Sequence, residues 1–150
     1  MESRLFKNII LATDGSKYSE NAVEYAVELA KISGARISAI YVVDTGAFAT
    51  IPMDVAWENI YEMLKVEGNE ATEKVVAEAN KSGVGVESFV VEGHPAEEIV
   101  KLSETIPGDL IVMGTLGKRG LDRFLLGSVA EKVSRTSKVP VMIVRGEKPK

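Results

Sequence analysis

One short span of this chain, Asp109–Val129 ("DLIVMGTLGKRGLDRFLLGSV"), combines glycines, a serine and cationic side chains in a pattern suited to holding an anion. It starts as a hydrophobic run. It then breaks at Gly114, Gly117 and Gly120, and ends in Gly127-Ser128. Glycine in a strand-to-helix connection carries an entropic cost, so its repeated use there needs a reason. Backbone N–H groups in a glycine turn form a concavity for anions. The first N–H groups of a helix opening at Gly127-Ser128 lack internal partners and carry partial positive charge. Together the two features describe a phosphate site. Lys118, Arg119 and Arg123 lie between them, opposed only by Asp122. Ser128 offers a hydroxyl to a terminal phosphate or to a phosphate-bound magnesium ion.

A second group, Thr13-Asp14-Gly15-Ser16, follows another hydrophobic run. Asp14 there faces a ligand, caps the following helix or makes an Asx-turn with Ser16. Ser16 and Ser19 read as helix caps. The single histidine, His94, stands before Pro95 with no metal-ligating neighbours and reads as a turn or cap residue. Taken alone, Gly114, Gly117 and Gly120 are also compatible with plain turns, and Gly127-Ser128 with a plain helix start.

Two common nucleotide templates are absent. A Walker A loop needs a hydroxyl directly after its lysine, whereas Lys118 is followed by Arg119. No G-x-G-x-x-G run opens a helix; the partial echo Gly83-Val84-Gly85 precedes a strand-like segment instead. The single histidine lies elsewhere and Asp122 has no assigned place at the motif, so no obvious general base is read there and any hydrolysis is expected to be slow.

These residues must be held by a scaffold. Five apolar segments read as strands: Asn8–Asp14, Arg36–Asp44, Val86–Glu92, Asp109–Gly114 and Val139–Arg145. Ile9–Ala12, Leu110–Met113 and Val141–Val144 are continuously apolar, which predicts strands covered on both faces. Helical periodicity fills the gaps. Ser16–Ser33 places Ala22, Val23, Ala26, Val27, Leu29 and Ala30 inward and closes at Gly34. Trp57–Ser82 places Ile60, Leu64, Ala71, Val75 and Ala79 on one side and closes at Gly83. Trp57, Tyr61 and Met63 read as core or subunit packing. Pro95 starts a third helix with Glu97 and Glu98 in its first turn. Gly127–Ser137 forms the last, with Val129, Ala130 and Val133 inward. The β-α alternation predicts a doubly wound, three-layer α/β fold with a parallel sheet, as one domain over residues 1–150. Ligands in such sheets bind beyond the carboxyl ends of the strands where the order reverses. The first and fourth strands, ending in Thr13-Asp14 and Gly114, are the candidates. Thr45–Asp54 reads as an irregular surface loop, and the last five residues as a frayed tail.

Composition narrows the function. The 150 residues include no cysteine, which excludes disulfides, thiolate metal sites and a cysteine nucleophile. The formal net charge of −4 argues against nucleic acid as a partner. No segment approaches the ~20 apolar residues of a membrane span. The apolar run Ile9–Ala12 is too short for a signal-peptide core, so a cytoplasmic location is expected.

The spacing G-x2-G-x9-G-S at Gly114, Gly117, Gly127 and Ser128 resembles the nucleotide motif of the universal stress protein family. "NIILATDGS", "IYVVD", "EGHPAEEIV" and "VPVMIV" are similar to further segments of that family, in the same order, and only Thr45–Gly68 is poorly covered. The resemblance implies a five-stranded parallel sheet of order 3-2-1-4-5 and a homodimer built partly through Val139–Arg145. It also implies binding of ATP or AMP, because members that hold ATP keep the full glycine signature. Carried over by position, Asp14 faces the adenosine end of the nucleotide, with Ala12 and Thr13 lining it and the Val42 backbone reading the adenine edge. Met113 and Gly114 lie beside the ribose and first phosphate. Gly117, Gly127, Ser128 and Val129 surround the phosphates. Leu116 stands where many relatives have a polar or histidine residue, and Ala12 where some have proline. The resulting expectation is a nucleotide-binding regulatory or stress-response module. The alternatives are an interaction dimer with a vestigial pocket and a slow ATPase or nucleotidyl-transfer enzyme on the same fold.

Overall fold

The computed structural model describes residues 3–48, 56–115 and 126–145. Its centre is β1 (Asn8–Ala12), whose Ile9, Ile10 and Leu11 are fully buried. Successive strand residues point to opposite faces, so an unbroken apolar run requires cover on both. Ile9 and Leu11 pack toward α1 (Glu20–Ser33) and α2 (Ala56–Lys81). Ile10 and Ala12 pack toward α3 (Pro95–Thr105) and α4 (Ser128–Thr136). The fold therefore has three layers, with two helices on each face of the sheet.

The other strands are β2 (Arg36–Asp44), β3 (Val86–Gly93), β4 (Leu110–Gly114) and β5 (Val141–Val144). All neighbours are parallel and the order is β3-β2-β1-β4-β5, as expected from the alternating pattern. Order reverses between β1 and β4. Asp109 anchors this pair at its start: its carboxylate oxygen Oδ2 accepts the N–H groups of Lys7 and Asn8, each at 2.7 Å.

Helix boundaries follow local chemistry. Gly34 caps α1 in the left-handed conformation at φ 78°, and Pro95 opens α3. Gly68 lets α2 lie close against the sheet: a Cβ there would fall 2.6 Å from Cδ1 of Tyr41.

Several sequence expectations are corrected. The first helical segment divides into a 3-10 turn (Lys17–Ser19) and α1; Ser16 and Ser19 stand at their N-cap positions as expected, but neither side chain makes a capping bond. His94 stands at the N-cap position of α3, but its ring makes no capping bond. The run Val141–Val144 is not covered on both faces: β5 is an edge strand and Met142 is 36% exposed. An apolar run reads the same on a central and an edge strand, because position in the sheet is set by partners elsewhere in the chain. Trp57 and Tyr61 pack around Tyr41 and Val43, whereas Met63 on the same helix is exposed. Thr45–Phe48 forms a short 3-10 turn; the rest of the expected loop lies outside the described residues.

Candidate functional site

The reversal of strand order places the ends of β1 and β4 side by side. Their last ladder pair is Leu11 with Val112, so continuing the register sets Thr13 level with Gly114. On the other side the N–H of Thr13 donates to Ile40 O at 3.0 Å, which brings the end of β2 and Val42 to the same edge. Ala12, Thr13, Asp14, Val42, Met113 and Gly114 thus gather along the carboxyl edge of three adjacent strands. Ala12, Thr13 and Met113 are buried, while Asp14, Val42 and Gly114 are half-buried.

Beyond Gly114 the chain is tied down by Thr115. Its N–H donates to Val144 O at 3.0 Å, and its carbonyl accepts the N–H of Gly127 at 2.7 Å. This second bond joins the strand end to the start of α4 across twelve residues of sequence. Gly127 is the N-cap, and its carbonyl accepts the first helical bond, from Glu131 N–H at 2.9 Å. The N–H groups of Ser128, Val129 and Ala130 meet no acceptor among the described residues. Ser128 is exposed, Val129 is half-buried against the α3 and α4 core, and Ala130 is buried. Three donors with no acceptor among the described residues, at a positive helix end beside a strand terminus, suit an anionic group.

The glycines divide into two kinds. Gly127 has φ −61° and ψ 153°, a conformation open to any residue, so the backbone does not demand glycine there. Gly114 is likewise not among the positive-φ glycines, whereas Gly15 is, at φ 80°. Gly117, Gly120, Lys118, Arg119, Arg123, Leu121, Phe124 and Leu125 lie outside the described residues. Leu126, directly before the start of α4, is 43% exposed.

The turn after β1 is held by its own side chains. Asp14 does not cap a helix; it makes the Asx-turn, its Oδ1 accepting Ser16 N–H at 2.9 Å and Ser16 Oγ–H at 2.6 Å. Thr13 Oγ1 accepts Gly15 N–H at 3.2 Å and pairs with Ser19 Oγ at 3.1 Å. Gly15 and Ser16 complete this turn beside the carboxyl edge of β1. Its sequence signal is the run Asp-Gly-Ser, in which a left-handed glycine lets a side chain two residues away reach back. A groove of about 530 Å³ opens between α1 and α2 from this same turn.

The fold defines a class: a parallel α/β protein of order 3-2-1-4-5 whose strand order reverses between β1 and β4. The family model of the universal stress proteins matches residues 5–145, and the chain belongs to that family. It is 48% identical over 146 residues to universal stress protein MJ0531 of Methanocaldococcus jannaschii, covering 97% of this chain and 85% of that protein. Among solved structures, protein MJ0577 superposes with a TM-score of 0.83 at 31% identity, over 97% of this chain and 99% of the other. A universal stress protein solved in complex with cAMP is 28% identical, with a TM-score of 0.67 and coverage of 95% and 99%.

Proposed function

We propose that this chain binds an adenine nucleotide, ATP or AMP, across the carboxyl ends of β1 and β4 and acts as a nucleotide-dependent stress-response module. The observation that carries this reading is the Gly127 N–H to Thr115 O bond. It holds the α4 start, whose first N–H groups meet no acceptor among the described residues, beside the strand edge where Asp14 and Gly114 end. The relative solved with cAMP supports an adenine nucleotide as the ligand class. In this reading Asp14, with Ala12, Thr13 and the Val42 backbone, takes the adenosine end. Met113 and Gly114 flank the ribose and first phosphate. Gly117, Gly127, Ser128 and Val129 surround the phosphates, and magnesium, where used, is met by Ser128.

Turnover is slow at most, because the half-site at Gly127-Ser128 offers donors and no base. The protein works as one domain in the cytoplasm, as a homodimer through Val139–Arg145. The half-exposed edge of β5 supports that pairing, since an open strand edge offers unpaired backbone groups to a second copy. Titration calorimetry with ATP and with AMP, each with and without magnesium, tests the function. Saturable binding of either supports it; absence of heat and of thermal shift with both refutes it. Mass analysis of small molecules released from freshly purified, denatured protein gives an independent reading.

A further inference from the structure

We propose that the groove between α1 and α2 is a docking site for a basic, extended segment of a partner protein. The inference goes beyond nucleotide binding and does not depend on it. The groove, of about 530 Å³, leaves the turn after β1 at Gly15 and Ser16 and runs between the two helices to Ser82, just past the end of α2. Its volume is that of a ligand-holding cleft, roughly 300–1,000 Å³. Val23, Val27, Ala71 and Val75 give it an apolar floor, and all but Val23 are buried.

The walls are charged, and unequally. Glu20, Glu24 and Glu28 stand on the α1 wall, each exposed. The α2 wall carries Lys74 and Glu78, and Glu78 pairs with Lys81 at 3.2 Å. Four glutamates against one lysine give the lining a net charge of −3, while the whole chain carries −4. Negative potential is thus gathered on one side of an apolar trough, which complements an occupant that is both cationic and apolar. A bare metal ion or a small cation would leave the floor uncovered.

Length decides the conformation of the occupant. From Glu20 to Glu28 the α1 wall spans about 12 Å. Two turns of a second helix, ~10 Å across, fill about 850 Å³, which exceeds the groove. An extended chain covers the same ~12 Å in about four residues. Its side chains alternate between two faces, so those on one face recur about every 6.7 Å, close to the ~6 Å between successive glutamates. Apolar side chains then point down onto the floor. The lysine or arginine stems between them bend over to the α1 wall with their charged heads in water.

The test is fluorescence anisotropy of a labelled peptide of alternating lysine and valine, titrated with the full chain in the absence of nucleotide. A lysine–serine peptide of equal charge and the polyamine spermine serve as competitors. Saturable binding of the lysine–valine peptide is expected, weakening as salt is raised. The lysine–serine peptide should bind about tenfold or more weakly, because it leaves the floor uncovered. The double variant Glu20→Gln, Glu28→Gln should lose about threefold or more in affinity, and Lys74→Gln should gain about twofold. Glu73→Gln with Glu92→Gln removes two exposed carboxylates outside the groove and should change nothing. All of these positions are exposed, and a melting curve of each variant reports folding. Should the Glu20 and Glu28 variant not fold, Lys74→Gln and the two peptides decide. Absence of binding, equal losses in the two glutamate pairs, or equal affinity for the lysine–serine peptide or spermine would overturn the proposal, and would leave the nucleotide reading untouched.

Discussion

Replacing Gly127 by alanine separates a structural glycine from one that admits a ligand. The backbone at Gly127 sits at φ −61° and ψ 153°, so alanine enters without strain. Reduced freedom in the unfolded chain then stabilises the variant by about 0.4–1 kcal/mol. Opposing this, alanine is a poorer N-cap than glycine, by roughly 0.5–1 kcal/mol. The two nearly cancel, leaving a net change within about 0.5 kcal/mol. For a chain of this length that is a shift of no more than about 2 °C in melting temperature. The hydrogen bond from Gly127 N–H to Thr115 O is a backbone bond and survives the substitution. If a phosphate lies against this backbone, the added methyl group displaces it. AMP affinity then falls by about tenfold or more, equivalent to roughly 1.4 kcal/mol. Differential scanning calorimetry of the free protein and titration with AMP give both numbers. A drop of several degrees with affinity preserved would show that Gly127 serves the fold, and would refute the close-approach argument.

Four further outcomes are expected. Gly15→Ala forces a left-handed conformation at φ 80° and brings Cβ to 3.3 Å from Cβ of Ala71. The cost of about 1–2 kcal/mol lowers the melting temperature by about 3–6 °C, and unchanged stability would contradict it. Gly68→Ala gains about 1 kcal/mol of helix propensity, but its Cβ meets Tyr41, which is 2% exposed and bonded through its hydroxyl to Glu67 at 2.5 Å. Overpacking of about 1–3 kcal/mol outweighs the gain, so urea midpoints should fall rather than rise. Asp109→Ala strips the acceptor from Lys7 and Asn8 N–H and should cost about 2 kcal/mol in the same assay. Met142→Lys, on the edge strand through which a dimer is proposed, should give a monomer in sedimentation velocity where the wild type is a dimer, and a variant that stays dimeric would place the subunit contact elsewhere.

Much of the scaffold was legible because covalent sequence and local physics agree in a parallel α/β protein. The runs at Ile9–Ala12 and Leu110–Met113 are apolar on both faces since helices cover both. Gly34, Gly83 and Pro95 mark helix ends by conformational limits that travel with the residue itself. The limit of that reading is visible in Val141–Val144, which has the same composition as the central strands and yet lies on an edge.

The sequence by itself determined the order of elements, the family resemblance and the residue types brought to the crevice, because these depend on neighbours a few positions apart. Tertiary structure decided what those residues do for one another. Folding brings Gly127 N–H to the Thr115 carbonyl and so ties the end of β4 to the start of α4. Ser16 and Ser19 read as helix caps, and the folded turn spends their hydroxyls on Asp14 and the carbonyl of Ser16 instead. A hydroxyl takes the acceptor that three-dimensional packing places nearest, and its position in the chain does not specify which one that is.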